Sequence, residues 1–271
     1  MIEHLLDLPG RRSRCAAVLS LAALLIALPR YHAVAQKASL VVPGIKPEHS
    51  QLVVVVTDSW QCIRGKLQCF ERSGKSAWRP VLAKPVEVLL GRNGLAWGRG
   101  ILSGRGPRIK REGDGCSPAG VFRIGRIYGE GTGLPAGASY PYTRVTNRDA
   151  WVDDSRHPLY NRHVRIAEGK PLPDWFEKER MRLGDPAYHW LIEIRHNSDP
   201  PSPGLGSAIF FHTRRGRDRP TAGCTAMPRG ELEQVIRFLR APANPLYVLL
   251  PAKDYVKYAK PWGLPDFAEQ P

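Results

Sequence analysis

No uncharged stretch in the 271 residues approaches the roughly 20 that a membrane-crossing helix needs, so an integral membrane protein is excluded. No CxxC pair and no HxxxH pair supplies the ligands of a zinc site, and no cofactor is called for. Neither a GxSxG elbow nor a glycine-rich phosphate loop occurs. Internal repeats are absent, and no linker marks a second domain. Acidic residues are scarce: 25 Asp plus Glu face 40 Lys plus Arg, for a net charge of +15 and a pI near 9.9. That excess suits an anionic partner and is silent on fold.

The chain is rich in turn formers, with 26 Gly and 25 Pro spread without a period, which leaves little room for long helices. Near its start, Arg11, Arg12 and Arg14 lead into an apolar run from Cys15 to Pro29, and Ala33-Val34-Ala35 follows. A charged segment, a short apolar segment and an A-x-A site make up a secretory signal peptide, here residues 1–35. An uncleaved N-terminal anchor is the other reading. Cleavage after Ala35 removes four basic and two acidic residues, leaving +13 on residues 36–271. An exported protein in the periplasm or cell envelope is therefore expected, its charge suiting an acidic cell wall. No nucleic-acid recognition motif accompanies the basic charge. In an oxidising compartment Cys62 and Cys69 fit a small disulfide loop, with two buried thiols as the alternative.

The rest reads as one mainly β domain with a few helices, its core at about residues 50–250. Leu52 to Val56 and Val86 to Leu90 are buried-strand runs, and Val121 to Ile124 alternates behind a Pro-Ala-Gly turn. Leu191 to Ile194 and Ala208 to Phe211 read as neighbouring strands across a proline-rich loop, and Tyr247 to Leu250 as a last strand. Leu232, Val235, Ile236 and Leu239 make one apolar helical stripe that Pro242 ends. A short helix near 175–183 is expected behind Asp174 as its cap.

The chemistry concentrates in Gly206 to Pro228, where a strand ends at His212 and a small-residue turn delivers Cys224 just ahead of the amphipathic helix. A cysteine in a glycine turn is sterically open, and an imidazole at a strand end can take its proton, lowering the thiol pKa from about 8.5. Such a thiolate is suited to acyl transfer. The bland reading is a buried, inert cysteine and a hydrogen-bonded structural histidine.

FFH followed by PTAGCTAM resembles the active-site signature of the L,D-transpeptidases with a YkuD-like catalytic domain, in the branch that carries P-T-A-G-C. Glu112-Gly113-Asp114-Gly115 with Ser117 to Phe122, Trp151 to Asp154 with Leu159-Tyr160-Asn161, and GLGSAIFFH from Gly204 to His212 are similar to further stretches of that family. The resemblance implies the L,D-transpeptidase fold, with mixed sheets and an amphipathic helix after the catalytic Cys. It also implies Cys224 as nucleophile, His212 as general base and acid, and backbone N–H groups around Gly223 and Cys224 as oxyanion donors. The substrates it implies are peptidoglycan tetrapeptide stems, joined by 3→3 crosslinks. An L,D-carboxypeptidase that trims stems and a catalytically silent wall-binding domain are the alternatives.

Departures from the family are visible. Ala222 stands where many members carry His, and Thr225-Ala226 offers no Arg after the cysteine. Arg214, Arg215, Arg217 and Arg219 are candidates for that missing charge, because a guanidinium pairs bidentately with a carboxylate. Tyr160 and Asn161 are candidates for a substrate groove or for loop closure. Glu112 and Asp114 are candidates for site groups or, as Asp in a glycine-rich turn more often is, for turn shaping. His196 is a candidate support for His212, and Cys116 a candidate neighbour of the site. No side chain matches the element that orients the imidazole in some relatives.

Overall fold

Four valines in a row, Val53 to Val56, run through the first strand, β1 (Gln51–Thr57), with no polar face. The computed structural model, which describes residues 44–267, shows why. One face of β1 lies in the core of a barrel, and the other is covered by a C-terminal helix, so neither face meets water. The proposed export segment at residues 1–35 lies outside the described residues.

The strands that follow are β2 (Arg64–Glu71), β3 (Arg79–Pro80), β4 (Val86–Leu89), β5 (Leu95–Trp97), β6 (Ser117–Gly129), β7 (Tyr142–Arg144), β8 (Asp149–Val152), β9 (Arg162–Arg165), β10 (Trp190–Ile194), β11 (Phe210–Thr213), β12 (Thr225–Met227) and β13 (Leu246–Pro251). The helices are α1 (Phe176–Glu179), α2 (Arg229–Phe238) and α3 (Ala252–Trp262). The hydrogen-bonded order β1-β13-β6-β10-β11-β12-β4-β2 returns to β1, which closes the sheet and leaves those strands no free edge. Two pairs in the ring are parallel, β1 with β13 and β11 with β12; the others are antiparallel. The mainly β expectation is met.

α2 packs on β11 with Leu232, Val235 and Ile236 buried, the face expected from their spacing, and each such side chain contributes roughly 1.5–3 kcal/mol. It stops at Phe238, ahead of Pro242, because Leu239 turns to extended backbone and buries itself in the core. The helix expected near 175–183 shrinks to the single turn α1, and Asp174 does not cap it. α3 covers β1 and β13 and was not expected. Its stripe was there to read, since Tyr255, Tyr258, Ala259 and Trp262 recur at helical spacing.

The disulfide expected between Cys62 and Cys69 does not form. All four cysteines in the described residues are free: Cys69 is fully buried inside β2, and Cys62 sits in the preceding turn with its sulfur beside the Ser59 hydroxyl at 3.3 Å. Six of the eight residues from Cys62 to Cys69 are thus strand.

Between β6 and β10 the chain leaves the barrel for some sixty residues that carry β7, the β8–β9 hairpin and α1. Tyr128, Val145, Trp151, Met181, Leu191 and Phe210 form a second, smaller apolar cluster there. This excursion builds the wall that faces the ends of β11 and β12.

Candidate active site

The turn before β12 is held from three directions. Thr221 belongs to a parallel bridge with Gly91: its N–H donates to the Leu90 carbonyl at 2.8 Å, and the Arg92 N–H donates to the Thr221 carbonyl at 2.9 Å. The Thr221 hydroxyl donates to the Cys224 carbonyl at 2.7 Å and accepts the Gly223 N–H at 3.0 Å. Ser117, at the start of β6, donates to the same Cys224 carbonyl at 3.3 Å and accepts the Gly91 N–H. Gly223 is required here: its φ is +148°, and a Cβ would stand 2.9 Å from the Cys116 carbonyl oxygen.

Cys224 and His212 come together because β11 and β12 run parallel, with His212 opposite Ala226. Both line a cavity of about 440 Å³, with Ala208, Phe210, Thr221 and Ala222 around them. Trp151, Met181 and Tyr188 from the excursion form the facing apolar wall. The positive charge comes from Arg92, Arg215 and Arg219 on one side and Lys178, Arg180 and Arg182 on the excursion, with Asp153 and Glu179 the acidic residues of the lining.

The half-buried thiol of Cys224 donates to the Ala208 carbonyl at 3.4 Å. Burial pushes its pKa up to about 11, more than the Phe210 backbone amide, Lys110 and Arg215 pull it back. Burial also lowers the pKa of His212, against the opposing effect of its bond to the Thr213 carbonyl. At neutral pH the cavity therefore holds a Cys224 thiol and a neutral His212 imidazole. The thiolate lowered by His212 that the spacing suggested is corrected by this, since desolvation outweighs the cationic neighbours.

The other expected site residues separate. Arg215 reaches the cavity, held bidentately by Asp185 through Nε at 3.2 Å and Nη2 at 2.7 Å. Arg214 does not: it lies over a different groove, with Lys84, Glu87, Pro228 and Glu231. Arg219 joins the cavity wall, while Arg217 is exposed away from it. Gly223 does not offer a free oxyanion donor, because its N–H is already bonded to Thr221.

Tyr160 and Asn161 are buried and do not line the cavity, so the groove reading is corrected. The Tyr160 hydroxyl donates to Glu112, which also accepts the Ser207 hydroxyl at 2.7 Å. Asp114 shapes its turn by accepting from Lys110 Nζ at 2.6 Å and the Cys116 N–H at 2.9 Å. His196 is buried, accepts the Arg99 N–H through Nδ1 at 3.1 Å and donates through Nε2 to the Leu205 carbonyl at 2.9 Å; it bonds the loop before β11, not His212. Cys116 is a neighbour of the site through its carbonyl at Gly223, while its thiol lies by Arg108. Arg92, Asp185 and Tyr188 escaped sequence reasoning, because only the fold brings these scattered positions to the cysteine turn.

A thiol and a basic imidazole lining one cavity, with several cationic side chains around them, are the constellation of cysteine-dependent acyl transfer. The family model described as YkuD, L,D-transpeptidase catalytic domain, matches residues 82–248. That is more than half of the chain, and the chain belongs to this family. No curated protein and no solved structure matches it. Among the described residues, no helix is long and apolar enough to cross a membrane, and no group of His, Cys, Asp and Glu is placed to hold a metal ion.

Proposed function

We propose that this protein is an exported L,D-transpeptidase that joins peptidoglycan stem peptides by 3→3 crosslinks in the cell envelope. The observation that carries the reading is the juxtaposition of Cys224 and His212 in one cavity, with the imidazole Nδ1 bonded to a backbone carbonyl at 2.9 Å. A carbonyl only accepts, so Nδ1 carries the proton and Nε2 is left basic.

The Cys224 sulfur attacks the carbonyl of the third, diamino acid residue of a tetrapeptide stem as His212 Nε2 takes the thiol proton. His212 returns that proton to the departing amine of the terminal D-alanine, leaving a thioester. The amine of a second stem attacks the thioester, its proton passes to His212 Nε2 and on to the departing sulfur, and Cys224 is released as a thiol. With the Gly223 amide engaged, the Cys224 backbone amide is the donor assigned to the oxyanion, and Arg215 the partner of a stem carboxylate. The net charge of +13 on residues 36–271 favours approach to an acidic wall.

The test incubates purified protein and its Cys224→Ala variant with a defined disaccharide-tetrapeptide and follows products by mass spectrometry. Dimers that have lost one D-alanine, absent with the variant, are the expected result. Loss of D-alanine without dimers would assign a carboxypeptidase instead. Unchanged substrate, or equal turnover by the variant, would overturn the enzymatic reading.

A further inference from the structure

The segment Ser207–Ala208 touches the nucleophile yet belongs to no strand, and Ala208 stands at a φ of +54°, a conformation that an alanine does not hold by itself. What holds it is Asn161. The side-chain oxygen of Asn161 accepts the Ala208 N–H and the Trp151 Nε1–H, each at 3.1 Å. Its side-chain nitrogen donates to the carbonyls of His196 at 3.0 Å and Asn197 at 2.8 Å. The amide is thus buried with four bonds, two in each sense, which fixes its orientation. Asn161 is itself at a φ of +56°, a region that asparagine tolerates better than most residues. One residue away, Ser207 is tied to the carboxylate that also receives the Tyr160 hydroxyl.

We propose that Asn161 is a positioning residue for the nucleophile, its amide fixing the Ala208 backbone so that the Ala208 carbonyl holds the Cys224 thiol in place. The inference rests on Cys224 as the reacting group. The carbonyl of residue 208 receives the S–H, and the Phe210 N–H, two residues further along, meets the same sulfur. A single buried side chain therefore holds the residue whose carbonyl receives the S–H, while the Phe210 N–H is placed by the pairing of β11 with β10. Because burial is the dominant influence on the Cys224 thiol, a loosened segment that admits water moves its pKa down toward the ordinary value.

The experiment compares Asn161→Ala with the unaltered protein in two measurements. Steady-state kinetics on the tetrapeptide reads kcat and KM, with kcat expected to fall about tenfold and KM to stay within about twofold. Iodoacetamide labelling at pH 7, resolved by peptide mass spectrometry, reads Cys224 against fully buried Cys69, which reports global unfolding. Cys224 labelling is expected to rise several-fold while Cys69 stays protected. Labelling of both in parallel, or no change at Cys224, would overturn the proposal. Where Asn161→Ala fails to fold, Ser207→Ala loosens the same segment more mildly and must shift Cys224 labelling in the same direction. The labelling contrast needs no turnover, so it decides the role of Asn161 even if the transpeptidase reading fails.

Discussion

The imidazole of His212 is oriented by the carbonyl of the very next residue, Thr213, which accepts from Nδ1 at 2.9 Å. No acidic side chain is needed for the tautomer. A neutral carbonyl stabilises an imidazolium less than a carboxylate would, and burial disfavours that cation further. In the proposed mechanism the proton is therefore transferred during attack and is not stored on the imidazole beforehand.

This has a pH signature. A histidine whose pKa burial lowers stays neutral, and thus basic, down to lower pH, so the acid limb of kcat/KM is expected below the ordinary histidine value of about 6.5. The thiol displaced to about 11 remains protonated throughout that range, so alkylation of Cys224 should climb steadily up to that pH without a plateau near neutrality. His212→Ala should lower kcat by about a hundredfold to ten-thousandfold with an unchanged circular dichroism spectrum. A labelling curve saturating below pH 8 would show a preformed thiolate and refute the neutral pair.

Arg215 and Arg214 are adjacent in sequence and face different grooves, which makes them a matched pair for testing carboxylate recognition. Arg215→Ala is expected to raise KM for the tetrapeptide about tenfold, in line with loss of one charge-assisted contact, and Arg214→Ala to change it less than twofold. Asp185→Asn removes the ion pair that holds the guanidinium and should give an intermediate effect. Equal KM values for Arg214→Ala and Arg215→Ala would remove Arg215 from the substrate contacts.

The strands were legible where burial leaves a one-dimensional trace, as in Val53 to Val56 or the stripe of α2. That Cys224 and His212 share one cavity was legible because the turn and strand end that present them lie within one local stretch. The supporting residues were not, since their roles depend on pairings across long separations: Asn161 reaches Ala208, and Asp185 reaches Arg215. The thiol pKa was misjudged for the same reason, because desolvation follows from the excursion that roofs the cavity and not from the local sequence.

Gly223 tests whether the turn geometry, and not its chemistry alone, is needed. Gly223→Ala brings a Cβ to 2.9 Å from the Cys116 carbonyl and places a side chain at a φ of +148°. Backbone, not a flexible side-chain end, stands in the way, so the turn must shift. A cost of about 1–3 kcal/mol in urea unfolding and a fall in kcat of at least about tenfold are expected. Wild-type kinetics in a folded Gly223→Ala protein would show that the turn relaxes freely.

Buried histidine also ties stability to pH. Burial lowers the pKa of His196 to about 4, while in the unfolded chain it titrates near 6.5. The unfolded state therefore binds the proton first as pH falls, so the contribution is complete above about 6.5 and is lost as pH drops toward 4. His163 and His212 are shifted in the same direction and steepen that slope. Asp149 and Asp185, whose pKa values are lowered by their Arg165 and Arg215 partners, act in a separate window below the ordinary carboxylate range. His196→Gln removes a titrating group from the upper window, so its urea midpoint should fall less between pH 6.5 and 4 than that of the unaltered protein. Identical slopes for the two proteins would show that His196 does not carry this part of the acid sensitivity.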